Sequence, residues 1–126
     1  MVLDSWAVIA LLRAEPGGPE IARRVAGGQA VISWINVGEV FCVVARRLGE
    51  AAARGAVDSL TETVRAVDVD ADLVLDAARV KARHPLSYAD AFAVALAERL
   101  RMPLLTGDPE ILALDRAVQV VDPRSA

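Results

Sequence analysis

Apolar positions in this chain alternate between two rhythms. Short clusters rich in β-branched residues read as strands, and stripes at 3.6-residue spacing read as helices. Met1-Val2-Leu3 is a minimal strand, followed by the apolar helix Trp6–Leu12. That helix has no polar face until Arg13, so it is expected to be buried all round or covered by a partner. Glu15-Pro16-Gly17-Gly18-Pro19 is a loop, and Glu20–Ala26 a short helix closed by Gly27-Gly28. Ala30–Trp34 is strand-like. Asn36–Leu48 carries Val37, Val40, Phe41, Val44 and Leu48 on one stripe, and Gly49 parts it from a second helix over Glu50–Leu60. Val64–Val69 is a weak strand, and Asp70–Arg83 is a helix ended by His84-Pro85. Pro109–Leu114 and Ala117–Val121 read as a last helix and a last strand.

Between these lies Ser87–Asp108, around which the other elements are organised. Ser87 caps a helix in which Ala89, Ala93, Leu96 and Leu100 recur, Pro103 stops it, and Leu104-Leu105-Thr106 is a buried strand. A helix from Asp90 to Leu100 travels roughly 15 Å. A strand from Pro103 to Asp108 travels roughly 16 Å in return. Asp90 and Asp108 are therefore expected at one level, at the carboxyl edge of a sheet, where open α/β sheets hold ligands. The whole pattern predicts one domain over 1–126: an α/β three-layer sandwich, with a parallel central sheet of about five short strands flanked by helices.

Composition adds little that contradicts this. The 126 residues are 55 % hydrophobic, with mean hydropathy +0.39, enough for a filled core and some apolar surface beyond it. The run Trp6–Leu12 is too short to cross a bilayer, and no leader is expected because Asp4 interrupts the start. Cys42 is the one cysteine, which excludes an internal disulfide and a cysteine metal site and fits a cytoplasmic setting. The net charge of −3 argues against nucleic acid only at first sight. Setting four of the 17 acids aside leaves 13 against 14 bases, of which only Lys81 is a lysine. Arginine suits bidentate phosphate contacts.

Four acids follow four predicted strands: Asp4, Glu39, Asp90 and Asp108. Each has an ordinary explanation. Asp4 and Asp108 are plausible N-caps, and Asn36-x-x-Glu39 and Ser87-x-x-Asp90 resemble capping boxes. Yet Ser, Thr or Asn cap as well, and Asn36 and Ser87 already do so on this reading. Glu39 and Asp90 are then surplus charge in first helical turns. Surplus carboxylates that converge repel unless a cation holds them, and an all-oxygen cluster suits Mg²⁺ or Mn²⁺.

VLDSWAVIALL, INVGEV, LSYADAFAVALA and PLLTGDPEIL, in this order and spacing, resemble a PIN domain, and most of all the small VapC-type toxins of bacterial type II toxin–antitoxin pairs. The resemblance runs from Val2 to Val121. It implies a metal-dependent endoribonuclease with an acidic Mg²⁺ or Mn²⁺ site, an RNA substrate, a homodimer, and a cognate antitoxin lying in an apolar groove near the site. Asp4, Glu39, Asp90 and Asp108 fall on the family's acidic positions, and Ser5 and Thr106 on its hydroxyl positions.

Other residues draw plainer expectations. Asp68-x-Asp70-x-Asp72 begins like a calcium loop, but Leu73 and Arg79 stand where Gly and Glu are required, so Asp70 is read as an N-cap. His84 reads as a surface helix end, Trp34 and Phe41 as core, and Cys42 as a packed small apolar group. Arg23-Arg24 and Arg46-Arg47 are solvated faces or RNA-backbone contacts. Three other functions remain in view. A receiver-like signalling module needs a lysine after its last strand, whereas Lys81 lies mid-helix. A haloacid-dehalogenase-type phosphatase needs an acid at the position Trp6 occupies. A PIN scaffold that binds without cutting shares every residue named.

Overall fold

A computed structural model of the chain describes residues 1–114 and 118–125. The elements run β1 (Val2–Leu3), α1 (Ser5–Leu12), α2 (Gly18–Ala26), β2 (Val31–Ser33), α3 (Trp34–Leu48) and α4 (Glu50–Thr63). Then come β3 (Arg65–Val67), α5 (Ala71–Arg83), α6 (Tyr88–Leu100), β4 (Leu104–Leu105), α7 (Pro109–Leu112) and β5 (Val120–Val121). All strand pairs are parallel, in the order β3-β2-β1-β4-β5.

The two-residue period of a strand sorts its side chains between two cores. Val2, Val31 and Leu104 face a cluster built from α5 and α6, with Leu73, Phe92 and Leu96, to which Ile111 of α7 adds. Leu3, Ile32 and Leu105 face the opposite cluster, with Ala7 of α1, Ile21 of α2, Val40 of α3 and Leu60 of α4. This is the three-layer α/β sandwich that the sequence pattern predicts. From β1 the chain winds outward through β2 to β3 with its helices on one face. It then crosses on the other face, through α5 and α6, to lay β4 beside β1. The order reverses between β1 and β4, and the crevice beyond their carboxyl ends is where such sheets bind ligands.

Local signals account for most boundaries. Asp4, Ser33, Asp70, Ser87 and Asp108 each accept a backbone N–H from the first turn of the helix that follows. Gly49, at φ 90°, parts α3 from α4 in a conformation only glycine adopts freely. The α6 helix ends with Arg101 in the left-handed region at φ 53°, two residues before Pro103. α5 and α6 form an antiparallel hairpin. Arg99 pairs with Asp70 at 3.1 Å at the open end, and Lys81 Nζ donates to the Leu86 carbonyl at 2.8 Å beside the turn.

Several expectations are corrected. The strand expected over Ala30–Trp34 stops at Ser33, whose hydroxyl caps α3 in place of Asn36. Trp34 therefore opens a helix and is 43 % exposed, not core. Cys42 is exposed as well, because it lies on the solvent side of α3. α6 is entered from α5 and not from a strand, although Asp90 still arrives at the expected edge. α7 is shorter than Pro109–Leu114, and Ala117, where the last strand was expected to begin, lies outside the described residues. α1 buries Ala7, Val8 and Ala10 but leaves Leu12 exposed, so of its two expected settings burial all round does not hold, and cover by a partner is the one that stays open.

Candidate metal centre

The carboxyl ends of β1 and β4 are joined by one short hydrogen bond. Asp4 follows β1, is fully buried, and accepts the Thr106 hydroxyl at 2.5 Å on Oδ2. Its Oδ1 accepts the Ala7 N–H at 2.9 Å. Thr106 in turn accepts the Asp108 N–H at 3.0 Å, so one buried hydroxyl sets the spacing of both acids. Asp108 caps α7 through the Glu110 N–H at 2.9 Å. Ser5 donates its hydroxyl to Glu39 Oε1, tying α1 to α3. Asp90 lies on the first turn of α6, its own N–H held by Ser87 Oγ at 3.1 Å. The capping readings of Asp4 and Asp108 thus hold and do not compete with the other reading. Each carboxylate oxygen keeps a further lone pair beyond its cap bond.

A hollow of about 390 Å³ opens here, its walls including Ser5, Glu39, Asp90 and Asp108, with Trp6 and Arg13 at its side. Among the described residues, a group of acids close enough to share an ion includes Glu110, which is not one of the four expected. One oxygen each of Asp90, Asp108 and Glu110 lies within 4.8 Å of the others. Oxygens on opposite sides of an octahedral ion at about 2.1 Å are ~4.2 Å apart, so the spacing is near that of such a site, and it is the all-oxygen chemistry of the donors that suits Mg²⁺ or Mn²⁺. Glu39 stands outside that group, in the second turn of α3 rather than the first, because Ser33 and not Asn36 is the cap. Glu110 had no distinguishing signal in the sequence. An acid two residues after an N-cap is ordinary helix-terminus chemistry.

The electrostatics of the group are unfavourable without a cation. Burial pushes the Asp4 carboxyl up to about 7, opposed by the Thr106 and Ala7 hydrogen bonds and reinforced by the charges of Asp90 and Asp108. Asp90 is pushed up to about 6, first by burial and then by Asp108, with smaller contributions from Glu39 and Glu110, against the Ser87 hydroxyl. Asp90 and Asp108 thus bear on Asp4, and Asp108, Glu39 and Glu110 on Asp90, across the β1–β4 crevice. Burying like charges in this way is costly unless an opposite charge joins them.

Trp6 fills the space beside Asp108 because residue 107 has no side chain. A Cβ there would meet Cη2 and Cζ2 of the Trp6 ring at 2.4 Å. Arg124 completes the contact, with its guanidinium 5.1 Å above the Trp6 ring and Nη2 donating to the Gly107 carbonyl at 3.0 Å. Gly107→Ala is expected to destabilise the protein by about 1–3 kcal/mol through overpacking. Urea unfolding with chelator present checks this, and an unchanged midpoint would show that the ring gives way freely.

Comparison with known proteins agrees with this architecture. The family model described as PIN domain matches residues 1–117. VapC20 of Mycobacterium tuberculosis, described as a sarcin–ricin-loop-cleaving toxin, is 24 % identical, with TM-score 0.72 over 89 % of this chain and 92 % of that one. A toxin–antitoxin complex from Klebsiella pneumoniae is 21 % identical, with TM-score 0.71 over 97 % and 96 %. A DNA-bound VapBC from Salmonella typhimurium is 14 % identical, with TM-score 0.78 over the same shares. No curated protein matches the sequence.

Proposed function

The chain belongs to the PIN domain family, and from that premise we propose that it is a Mg²⁺- or Mn²⁺-dependent endoribonuclease, the toxin of a type II toxin–antitoxin pair. The observation that carries this reading is the all-oxygen group of Asp90, Asp108 and Glu110, with buried Asp4 beside it at the point where the strand order reverses. Asp4, Asp90 and Asp108, with Glu110 or Glu39 completing the set, hold the ion. When bound, it supplies water activation at neutral pH and positive charge for the phosphodiester.

The protein's own residues do the rest. Thr106 orients Asp4 and keeps the turn before Asp108 in place. Ser5 fixes the rotamer of Glu39 from α1. Arg13, on the wall of the hollow, is placed to meet an RNA phosphate. Its ion pair with Glu15, at 3.7 Å and solvent-exposed, is weak enough to exchange.

An apolar groove between α1 and the α3–α4 hairpin, lined by Ile9, Leu12, Val43, Val44, Leu48 and Ala52, is the seat we assign to the antitoxin. Ile9, Arg13 and Val43 line both groove and hollow, so a segment lying in one borders the other. Leu48 is 74 % exposed at its edge. Trp34, Ile35 and Tyr88, exposed beside the contact of α3 with α6, offer apolar surface to a second copy of the chain. Among the described residues no helix is long and apolar enough to cross a membrane.

Incubating the chain with RNA in Mg²⁺ or Mn²⁺ is expected to give internal cleavage that EDTA stops and Asp90→Asn reduces by at least about a hundredfold. Cleavage indifferent to both would end the metal-nuclease reading. Metal binding without any cleavage would favour a PIN module that only binds RNA.

A further inference from the structure

Asn36 is the one fully buried side-chain amide in the described core, and its three hydrogen bonds all serve helix placement. Its own N–H donates to Ser33 Oγ at 3.1 Å. That leaves the Ser33 hydroxyl proton to donate to Asn36 Oδ1 at 2.6 Å. With Oδ1 so occupied, Nδ2 can point only the other way, where it donates to the Ala89 carbonyl at 3.0 Å. Ala89 immediately precedes Asp90 on α6. Asn36 lies three residues before Glu39, on the same side of α3. A single side chain, 53 residues away along the chain, therefore links the first turns of the two helices that carry these acids.

An apolar residue would fill this position between Val37 and Val40 without the risk of a buried unpaired amide, which costs about 1–3 kcal/mol. Stability explains part of the polar choice, since Oδ1 accepts the buried Ser33 hydroxyl, but it does not require the bond from Nδ2 to Ala89. Carboxylate spacing does. The small hard ions that suit this donor set tolerate little departure from octahedral geometry, and supporting groups must hold ligands to within about 0.5 Å. The Nδ2 bond to Ala89 adds a directional restraint on the first turn of α6 against α3 to what the close-packed apolar contacts supply.

We propose that Asn36 is a positioning residue of the acid site: its amide fixes the first turn of α6 against α3 and so sets where Asp90 stands relative to the other carboxylates that hold the ion. This rests on the metal-site reading above. The test is Mn²⁺ titration of the metal-free protein, followed by calorimetry, alongside urea unfolding in chelator. The native chain is compared with Asn36→Ala and with Val80→Ala, a cavity on α5 away from the acids. Asn36→Ala is expected to bind Mn²⁺ about tenfold more weakly, while Val80→Ala loses stability and keeps native affinity. Ser33→Ala leaves the amide unoriented and should weaken binding in the same direction. It decides the matter if Asn36→Ala does not fold. Native affinity in the Asn36 variant, or in Ser33→Ala where it must stand in, overturns the proposal. So does an equal loss in Val80→Ala, which would make the effect one of general stability. If the native chain itself binds no Mn²⁺, the metal-site reading falls and this proposal falls with it.

Discussion

Asp4→Asn is expected to abolish metal-dependent cleavage and, with chelator present at pH 8, to make the protein more stable than the native chain. The two effects have one cause. Asp4 is fully buried and its carboxyl is pushed from 3.8 up to about 7, chiefly by that burial. The folded protein therefore holds a proton there that the unfolded chain releases. Such a group contributes stability that is fully present below the unfolded value near 3.8 and is lost as pH rises through about 7. A shift of this size corresponds to on the order of 4 kcal/mol, as an upper bound, by pH 8. Asparagine has the same shape and no charge to bury. It can still accept the Ala7 N–H through Oδ1, and its amide can donate to Thr106 where the carboxylate now accepts. After the loss of one charge-assisted hydrogen bond, a net gain of roughly 1–3 kcal/mol remains at pH 8, with little or none at pH 4. Urea unfolding of both proteins in EDTA at the two pH values is the measurement. Equal destabilisation by the substitution at both values would show that Asp4 is an ordinary cap whose charge is not strained.

The sandwich was readable because each of its layers has a local signature. Val2-Leu3, Val31-Ile32 and Leu104-Leu105 are buried on both faces and read as short apolar runs. The caps at Asp4, Asp70, Ser87 and Asp108 announce their helices. The level of Asp90 with Asp108 followed from helix and strand rise alone, and their oxygens do lie within 4.8 Å. What escaped depends on partners distant in sequence or on a choice between near-equivalent residues. Ser33 and Asn36 are both good caps, and only the packed structure shows that Ser33 takes the role and frees Asn36 to reach Ala89. Trp34 looked like core because a β-branched run precedes it, yet one residue of difference in where the strand stops turns it outward. Glu110 and the fit of Trp6 over Gly107 depend on how α7 and α1 meet, which no spacing within either segment encodes.

Divalent-ion affinity is expected to fall about a thousandfold between pH 8 and pH 5. An ion that engages Asp4 and Asp90 must displace whatever protons they hold. With Asp4 at about 7 and Asp90 at about 6, neither carries much proton at pH 8 and both do at pH 5. Competition at pH 5 then amounts to roughly a hundredfold at Asp4 and tenfold at Asp90. A site made only of solvated carboxylates, titrating near 4, would lose less than about twofold over the same range. The size of the slope therefore separates an ion held in the buried crevice from one attracted to surface charge. Mn²⁺ calorimetry at several pH values, in buffers of differing ionisation enthalpy, reads both the affinity and the protons released. Asp4→Asn should remove the roughly hundredfold fall that sets in below pH 7 and leave the roughly tenfold fall that sets in below pH 6, whatever its effect on absolute affinity. A native affinity that changes by less than tenfold would mean that the ion avoids both Asp4 and Asp90, leaving Asp108 and Glu110 at the mouth of the hollow as its main ligands.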